Sequence, residues 1–258
     1  MTGTQAISYP ITLTPAELAF LLSLVDAQTL LGLEHEALFP ESASARESLY
    51  LQGRSELEQD GWLSQVAGTE RYDLNDPLVA VIAAMAAPRV IIVTTLDPPG
   101  QPRQSVTHYI STIVVEAVFD GHHYEVAGLR STEIMLARLA NTISLPQSSL
   151  PVEEFELSAE QARQIVAEPQ IERLLKYGAP AAGARALTDV LQNVQKRASV
   201  HVMQVHFGQV TVVHRLQVLV SSKGSAWLAV PTADTGVRFK PTSDKDFAEV
   251  VQALIQTP

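Results

Sequence analysis

The sequence predicts an α+β fold made of two similar αβ halves related by a pseudo-two-fold axis, with a central, mostly antiparallel sheet flanked by helical layers. Three observations predict this fold. Apolar residues recur with helical spacing over residues 14–88, the apolar runs become strand-like from Arg89 onward, and the same order of elements returns about 110 residues later. A chain of 258 residues, 46% of them hydrophobic, is long enough to bury a core in each half.

The first helical layer is expected over residues 14–88, preceded by a short strand at 7–13. Thr14 is placed to cap a helix, Pro15 suits its first position, and Glu17 suits its third. Leu18, Leu21, Leu22 and Val25 then follow the spacing of one helical face. We expect this helix to end near Gly32.

Two further helices complete the predicted layer. One should run from about Ser44 to Asp60, where Gly61 can take the left-handed closing position and Trp62 can fold back into the core. The next begins at Asn75-Asp76-Pro77 and is apolar nearly all round up to Pro88, so it should be covered on several sides.

Residues 89–143 are expected to form an antiparallel meander followed by a helix. Asp120-Gly121 suits a tight hairpin turn, and Ser131 suits the N-cap of the helix. The predicted strands lie within residues 89–96, 105–119 and 122–129. The apolar residues of the predicted helix are Ile134, Leu136, Leu139 and Ile143.

A linker is predicted at residues 141–154, which hold two prolines and no apolar periodicity. We therefore expect a first αβ half at 1–145 and a second at 146–258. Helices are predicted in the second half at about 158–177 and 183–197, with a last one capped by Ser243. Its strands are predicted at 199–207, 210–221, 225–230 and 236–240, with the first turn at Gly208-Gln209.

Composition excludes several kinds of chemistry. The chain has no cysteine, which removes disulfides, thiolate metal sites and cysteine nucleophiles and makes the cytoplasm the expected location. The net charge is −10, and residues 1–88 carry twelve acidic against three basic side chains. Such a segment repels nucleic-acid phosphates and anionic membranes, so neither partner is favoured. No signal peptide or membrane-length apolar run is recognised.

Short apolar phrases resemble the EspG family, the secretion-associated chaperones of the ESX (type VII) systems. They read LTPAEL at residues 13–18, DGWL at 60–63 and NDPLVAVIAAMAAP at 75–88, the last followed directly by RVIIV. The C-terminal stretch from Trp227 to Ile255, WLAVPTADTGVRFKPTSDKDFAEVVQALI, also resembles the end of that family. The resemblance thus spans nearly the whole chain.

The resemblance implies a cytosolic, non-enzymatic chaperone that binds a helical secretion substrate through a loop of the central sheet and an adjacent helical face. It brings no catalytic residues to transfer. The nearest position for the loop is the proline-rich segment between two predicted strands. The candidate partner-binding residues are Asp97, Pro98, Pro99, Gly100, Gln101, Pro102, Arg103 and Gln104.

The histidines do not predict a metal site. His201 and His206 lie five apart on one predicted strand, which directs them to opposite faces, and no cysteine is available to help them. His122 and His123 follow a turn, where solvated histidines are ordinary. His214 adds no recognisable spacing. We expect no metal and no cofactor.

No catalytic motif was found. The chain contains no G-x-S-x-G, no G-x-G-x-x-G and no G-x-x-x-x-G-K-[ST] pattern. The carboxylate pairs Glu34/Glu36 and Glu153/Glu154 are expected on the surface rather than in acid catalysis. Trp62 and Trp227 are expected in the core. These features favour a protein-binding role over an enzyme, although a site assembled from scattered residues stays open.

A winged-helix transcriptional regulator with a C-terminal α+β effector domain is the main alternative. Residues 14–74 can be interpreted as two helices and a wing around residues 61–72. However, a recognition helix at 44–60 would bring four carboxylates toward DNA phosphates, with only Arg46 and Arg54 to offset them. The electrostatics therefore oppose this alternative without excluding it.

Overall fold

The structure is a computed structural model that describes residues 10–27, 29–33, 35–69, 72–98, 100, 102–232 and 235–256. The strands are β1 (Ile11–Leu13), β2 (Leu63–Gln65), β3 (Tyr72–Leu74), β4 (Val90–Asp97), β5 (Gln104–Ile110), β6 (Val114–Phe119), β7 (Tyr124–Leu129), β8 (Phe155–Ser158), β9 (Val194–His206), β10 (Gln209–Ser221), β11 (Ala226–Pro231) and β12 (Gly236–Pro241). The helices are α1 (Pro15–Ser23), α2 (His35–Leu38), α3 (Ala43–Gln59), α4 (Asp76–Ala86), α5 (Thr132–Ile143), α6 (Ala159–Ala167), α7 (Ile171–Lys176), α8 (Ala181–Gln192) and α9 (Asp244–Gln256).

Ten strands form one sheet in the order β1-β7-β6-β5-β4-β9-β10-β11-β12-β8, and β2 pairs with β3 in a separate small sheet. The pairs β1–β7, β5–β6, β6–β7, β10–β11, β11–β12 and β12–β8 are antiparallel. The prediction of an α+β fold with a large, mostly antiparallel sheet is therefore confirmed.

The order of strands is the same on both sides of the central pair β4 and β9. Reading outward, one side runs β4-β5-β6-β7-β1 and the other β9-β10-β11-β12-β8. Each side contains a meander of four consecutive strands. A fifth strand pairs with the outer edge of each meander: β1, which precedes α1 in the chain, on one side, and β8, which precedes α6, on the other. This is the arrangement that an internal duplication would produce, and the duplication itself remains a prediction.

The residues group into two compact units. The first comprises the described parts of Met1–Ile92, Val106–Met135 and Gln204–Thr211. Within it, α1 packs on α3. Gly53 lies where the helices meet, and a Cβ atom at that position would overlap the backbone carbonyl of Ala16. The two helices therefore approach backbone to backbone, which only glycine allows.

The second unit comprises Val93–Ser105, Leu136–Met203 and the described parts of Val212–Pro258. Its core contains the fully buried Trp227. The ring centre of Phe155 lies 5.7 Å from that of Trp227 and 5.9 Å from that of Phe239. Helices α6, α7 and α8 contribute apolar side chains to this core. Neither unit is a single stretch of chain, and the boundary predicted between residues 145 and 146 remains a prediction.

The first helix is shorter than predicted, because α1 ends at Ser23 and not near Gly32. The hydroxyl of Ser23 donates to the carbonyl of Phe20. Farther on, the carbonyls of Leu31 and Gly32 accept hydrogen bonds from Tyr109 and Thr107 of β5. If α1 continued through Leu31 and Gly32, their carbonyls would point along the helix axis and could not accept these hydrogen bonds from β5.

Burial differs from the prediction at four positions. Helix α4 is not covered all round, because Val79 is 43% exposed and Ala83 is also exposed. Trp62 is half-buried, and the adjacent Leu63 takes the core position instead. Ile134 at the start of α5 is 42% exposed.

The second half departs from the sequence prediction in its boundaries. The helix expected at 158–177 is divided into α6 and α7 at Pro169, which cannot continue a helix. Helix α8 ends at Gln192, so β9 begins at Val194 and not at 199. Strand β8 was not predicted, and the turn between β9 and β10 consists of Phe207 and Gly208. No helix among the described residues is long and apolar enough to cross a membrane.

Candidate partner-binding site

The predicted binding loop is shorter than expected, because β4 extends to Asp97 and β5 begins at Gln104. Gly100 adopts a left-handed φ of 72°, which turns the chain between the two strands. Pro98 is half-buried, whereas Pro99 and Gln101 lie outside the described residues. The exposed residues of the segment are Asp97, Gly100, Pro102, Arg103 and Gln104.

Arg103 belongs to a group of positive side chains in the second unit. The pKa of His201 on β9 is lowered by its burial and then by the charges of Arg215 and Arg103. Arg215 lies on β10, and the sheet places it close enough to oppose protonation of His201. We call Arg103, Arg197 and Arg215 the arginine cluster, because Arg197 and Arg215 also line the groove described next.

A groove of about 590 Å³ lies between α6 and the face of the sheet formed by β10, β11 and β12. Helix α6 begins with a reciprocal capping box between Ser158 and Gln161. The helix contributes Ala159, Ala162, Arg163, Val166 and Ala167 to the groove. The strands contribute Arg197, Arg215, Gln217, Leu219, Ala229, Pro231, Val237 and Phe239. We call this cavity the α6 groove.

Strand register explains the apolar wall of the α6 groove. Gln217 pairs with Ala229, and Ala229 pairs with Phe239, so all three lie on one face of three adjacent strands. The facing helix presents small side chains at Ala159, Ala162 and Ala167, which leave space above the sheet. The groove is therefore apolar over most of its surface and open to a partner's side chains.

The arginines of the groove differ in whether an acidic side chain neutralises their charge. Arg163 forms an ion pair with Glu160 at 2.8 Å. In contrast, Arg197 and Arg215 are exposed and have no hydrogen-bond or ion-pair partner among the residues that the structure describes. An apolar cavity with uncompensated guanidinium groups can hold an apolar side chain next to an anion.

Two other cavities are present among the described residues. One of about 540 Å³ lies between α1 and α3 and is lined by both acidic and basic side chains. We call it the α1–α3 cleft. The other, of about 220 Å³, is lined by β10, β11 and Leu254 of α9. His214 lies in this smaller cavity, and its Nε2 atom is buried without a hydrogen-bond partner in the described structure.

His122, His123 and the described members of the two carboxylate pairs are exposed, as the sequence indicated. His122 and His123 are exposed in the turn after β6, where their backbone N–H groups each donate to Asp120 Oδ1 at 2.7 Å. These two hydrogen bonds lower the pKa of Asp120. Glu36, Glu153 and Glu154 are exposed, and Glu34 lies outside the described residues. Over residues 10–256, apart from the undescribed gaps, no three His, Asp or Glu side chains are grouped as metal ligands.

One buried polar pair was missed by sequence analysis. His108 on β5 is fully buried, and its Nε2 lies 3.0 Å from Glu116 Oε2 on the neighbouring strand β6. The two residues are opposite each other in the strand register. The short turn between the two strands was the available signal, because it fixes which residues face each other across the hairpin.

Comparisons with known proteins bear on the fold. No protein-family model and no curated protein matches this chain. A solved structure entitled "Structure of the Mycobacterium tuberculosis type VII secretion system chaperone EspG5 in complex with PE25-PPE41 dimer" is similar over 96% of each chain, with a TM-score of 0.68 and 15% identity. The chain therefore has an EspG-like fold, as its short sequence phrases predicted.

Proposed function

We propose that this protein is a cytoplasmic, cofactor-free, non-enzymatic chaperone that binds a helical secretion substrate in the α6 groove. The observation that carries the proposal is the pairing of an apolar groove with the uncompensated Arg197 and Arg215 at its wall. The EspG-like fold supports it, because the similar structure is described as a chaperone in complex with a protein dimer. An internal duplication of the αβ half is part of the same proposal.

The shape and chemistry of the groove support a protein ligand. Above the buried Leu219 and Phe239, its walls expose parts of Val166, Pro231 and Val237 beside small alanines, a surface that fits the apolar side chains of one helical face. A cavity of this size accommodates a few side chains but not a folded domain. The rest of a partner would therefore lie on the surrounding surface.

The winged-helix alternative has no finding in its favour beyond the small β2–β3 hairpin, which lies where a wing was predicted. In this alternative, helix α3 would have to lie in the major groove of DNA. It carries Glu47, Glu56 and Glu58, whose carboxylates would be repelled by the phosphates. Arg54 on the same helix is already paired with Glu58 at 3.0 Å. The phosphate-facing charge that DNA binding needs is therefore not supplied by this helix.

Blocking the groove tests the proposal. Ala167 is exposed at the groove wall, so Ala167→Trp should fill the cavity without disturbing the core. We expect it to weaken binding of a purified PE–PPE heterodimer, the kind of partner named for the similar structure, by about tenfold or more, measured by isothermal titration calorimetry. Ala182→Trp, at an exposed position of α8 outside the groove, is the matched control. Equal affinity for both variants would contradict the proposal.

We also propose that the segment Asp97–Gln104 contributes to binding, chiefly through Arg103. Replacing residues 98–103 by Asn-Gly should retain the fold, because this dipeptide forms a tight hairpin turn between antiparallel strands. The shortened protein should bind the same heterodimer more weakly in the same calorimetric assay, and Arg103→Gln should reproduce part of the loss. Undiminished affinity in the shortened protein would show that the segment is not a binding element.

A further inference from the structure

The arginine cluster places concentrated positive charge in a chain that is acidic as a whole. The net charge is −10. Arg197 and Arg215 line one groove, and Arg103 acts with Arg215 on His201. A guanidinium group has five N–H donors and no acceptor, so each of these side chains can hold a carboxylate in a two-point contact.

Within the part of the chain that the structure describes, Arg197 and Arg215 have no acidic neighbour that neutralises them. Several other cations of the same unit are compensated: Arg163 pairs with Glu160, Arg173 with Glu168, and Lys223 with Asp189. Two positive charges that line the same groove repel each other, so their arrangement is not explained by stability. The pKa of His201 is lowered first by burial and then by the charges of two arginines, which agrees with a positive electrostatic potential at this place.

The groove next to these arginines is apolar, which determines the kind of anion that fits. A free phosphate or a nucleic-acid backbone would use the positive charge and leave the partly or fully exposed apolar residues Val166, Pro231 and Val237 uncovered. A protein helix with apolar residues three and four apart, flanked by Glu or Asp, would use both features together.

We propose that the α6 groove selects protein segments that carry carboxylates beside an apolar helical face, with Arg197 and Arg215 as the residues that determine this selectivity. The proposal rests on the function proposed above and specifies the class of partner. The net negative charge of the protein repels such an acidic segment and slows its association. The arginine cluster attracts the carboxylates and fixes the orientation in which the segment binds.

Three fluorescein-labelled helical peptides of about 15 residues provide the probe. They share one apolar face of leucines and differ only in flanking residues, which are all Glu, all Gln or all Lys. Fluorescence anisotropy at about 0.05 M salt should show the Glu peptide binding about tenfold more tightly than the Lys peptide, and the difference should shrink at about 0.5 M salt. The net charge alone would give the opposite preference.

The double variant Arg197→Glu/Arg215→Glu should reverse the preference in favour of the Lys peptide. Arg185→Glu, an exposed arginine on α8 outside the groove, makes a charge change of the same kind and should leave the preference intact. Circular dichroism establishes that each variant is folded. If the Glu peptide keeps its advantage in the double variant, or has none in the unmodified protein, the proposed selectivity is wrong.

The same peptides separate this proposal from the proposed function. If all three bind equally and Ala167→Trp abolishes binding, the groove holds apolar helices, and only the charge selectivity is wrong. If none of the three binds the unmodified protein, the groove does not accept an apolar helical face, and both proposals are wrong.

Discussion

The α1–α3 cleft of one unit and the α6 groove of the other have similar volumes, about 540 and 590 Å³. Their charges are organised differently. The cleft is lined by Asp26 and Glu47 together with Arg46 and Arg54, so both signs are represented. The charged side chains of the α6 groove are all arginines. Cavity size alone therefore does not distinguish a packing gap from a binding site.

Compensation of charge is the clearer distinction. Arg54 in the cleft donates to Glu58 at 3.0 Å, and its guanidinium lies 4.5 Å from the centre of the Tyr72 ring. Its hydrogen-bonding capacity is thus partly used within the fold. Arg197 and Arg215 have no hydrogen-bond or ion-pair partner among the described residues. The comparison supports the proposal that a partner binds in the α6 groove rather than in the cleft.

The largest expected effect tests whether the cleft is only a consequence of helix packing. Gly53→Ala would force α1 and α3 apart at Ala16, and we expect a loss of about 2 kcal/mol in the free energy of unfolding. Chemical denaturation measures it. Ser55→Ala, on the exposed side of α3, should change stability little. The Glu peptide should bind both folded variants as before, and lost binding in Gly53→Ala alone would show that the cleft is functional.

An intermediate effect is expected from the buried acid of the α1–α3 contact. Glu17 is 2% exposed, its Oε1 has no hydrogen-bond partner among the described residues, and burial is the main reason that its pKa is raised. Nearby Asp60 and Glu56 raise it further, against two hydrogen bonds with Thr14 that lower it. Glu17→Gln should therefore stabilise the protein by about 1 kcal/mol at pH 7.

The sign of this effect depends on pH. A carboxyl group whose pKa is raised by folding contributes stability below its unfolded value, near pH 4.3, and loses that contribution as pH rises through the folded value. The advantage of Glu17→Gln in the free energy of unfolding should thus be largest at neutral pH and disappear on acidification. Denaturation curves of both proteins from pH 4 to 8 measure the difference. A constant difference would contradict the raised pKa.

The smallest stability effects should come from the arginines themselves. Arg215→Gln removes a charge that repels its neighbours, so the free energy of unfolding should stay within about 0.5 kcal/mol of the unmodified value or rise slightly. Arg54→Gln removes an exposed ion pair and should lower the free energy of unfolding only slightly. Only Arg215→Gln should weaken binding of the Glu peptide in the anisotropy assay. Equal loss of binding in both variants would remove the distinction between the two cavities.

Local signals in the sequence predicted the ends and turns of many elements. Thr14 caps α1 through a reciprocal bond with Glu17, as its spacing indicated. Gly61 has a left-handed φ of 73° at the end of α3, and Asp120-Gly121 forms the turn before β7. Each of these depends on residues close together in the chain, so a short window contains the necessary information.

The candidate site could not be derived in the same way. Arg103 lies in a loop almost a hundred residues before Arg197 on β9 and Arg215 on β10. Only the fold brings Arg103 and Arg215 to His201, and Arg197 and Arg215 to one groove. The α6 groove depends on small side chains at Ala162 and Ala167, which look like ordinary helix residues in sequence. The segment after α1 also accepts hydrogen bonds from β5 at Leu31 and Gly32, and helical periodicity does not reveal these distant contacts.

The short edge strands have a consequence for how the chain is made. β1 closes one end of the sheet, and its Ile11 pairs with Val126, which is synthesised 115 positions later. At roughly 5–20 residues per second, β1 leaves the ribosome on the order of ten seconds before its partner exists. β8 repeats the situation, because Ser158 pairs with Gly236. A stalled or truncated chain therefore exposes unpaired strand edges, which are the surfaces through which β proteins aggregate.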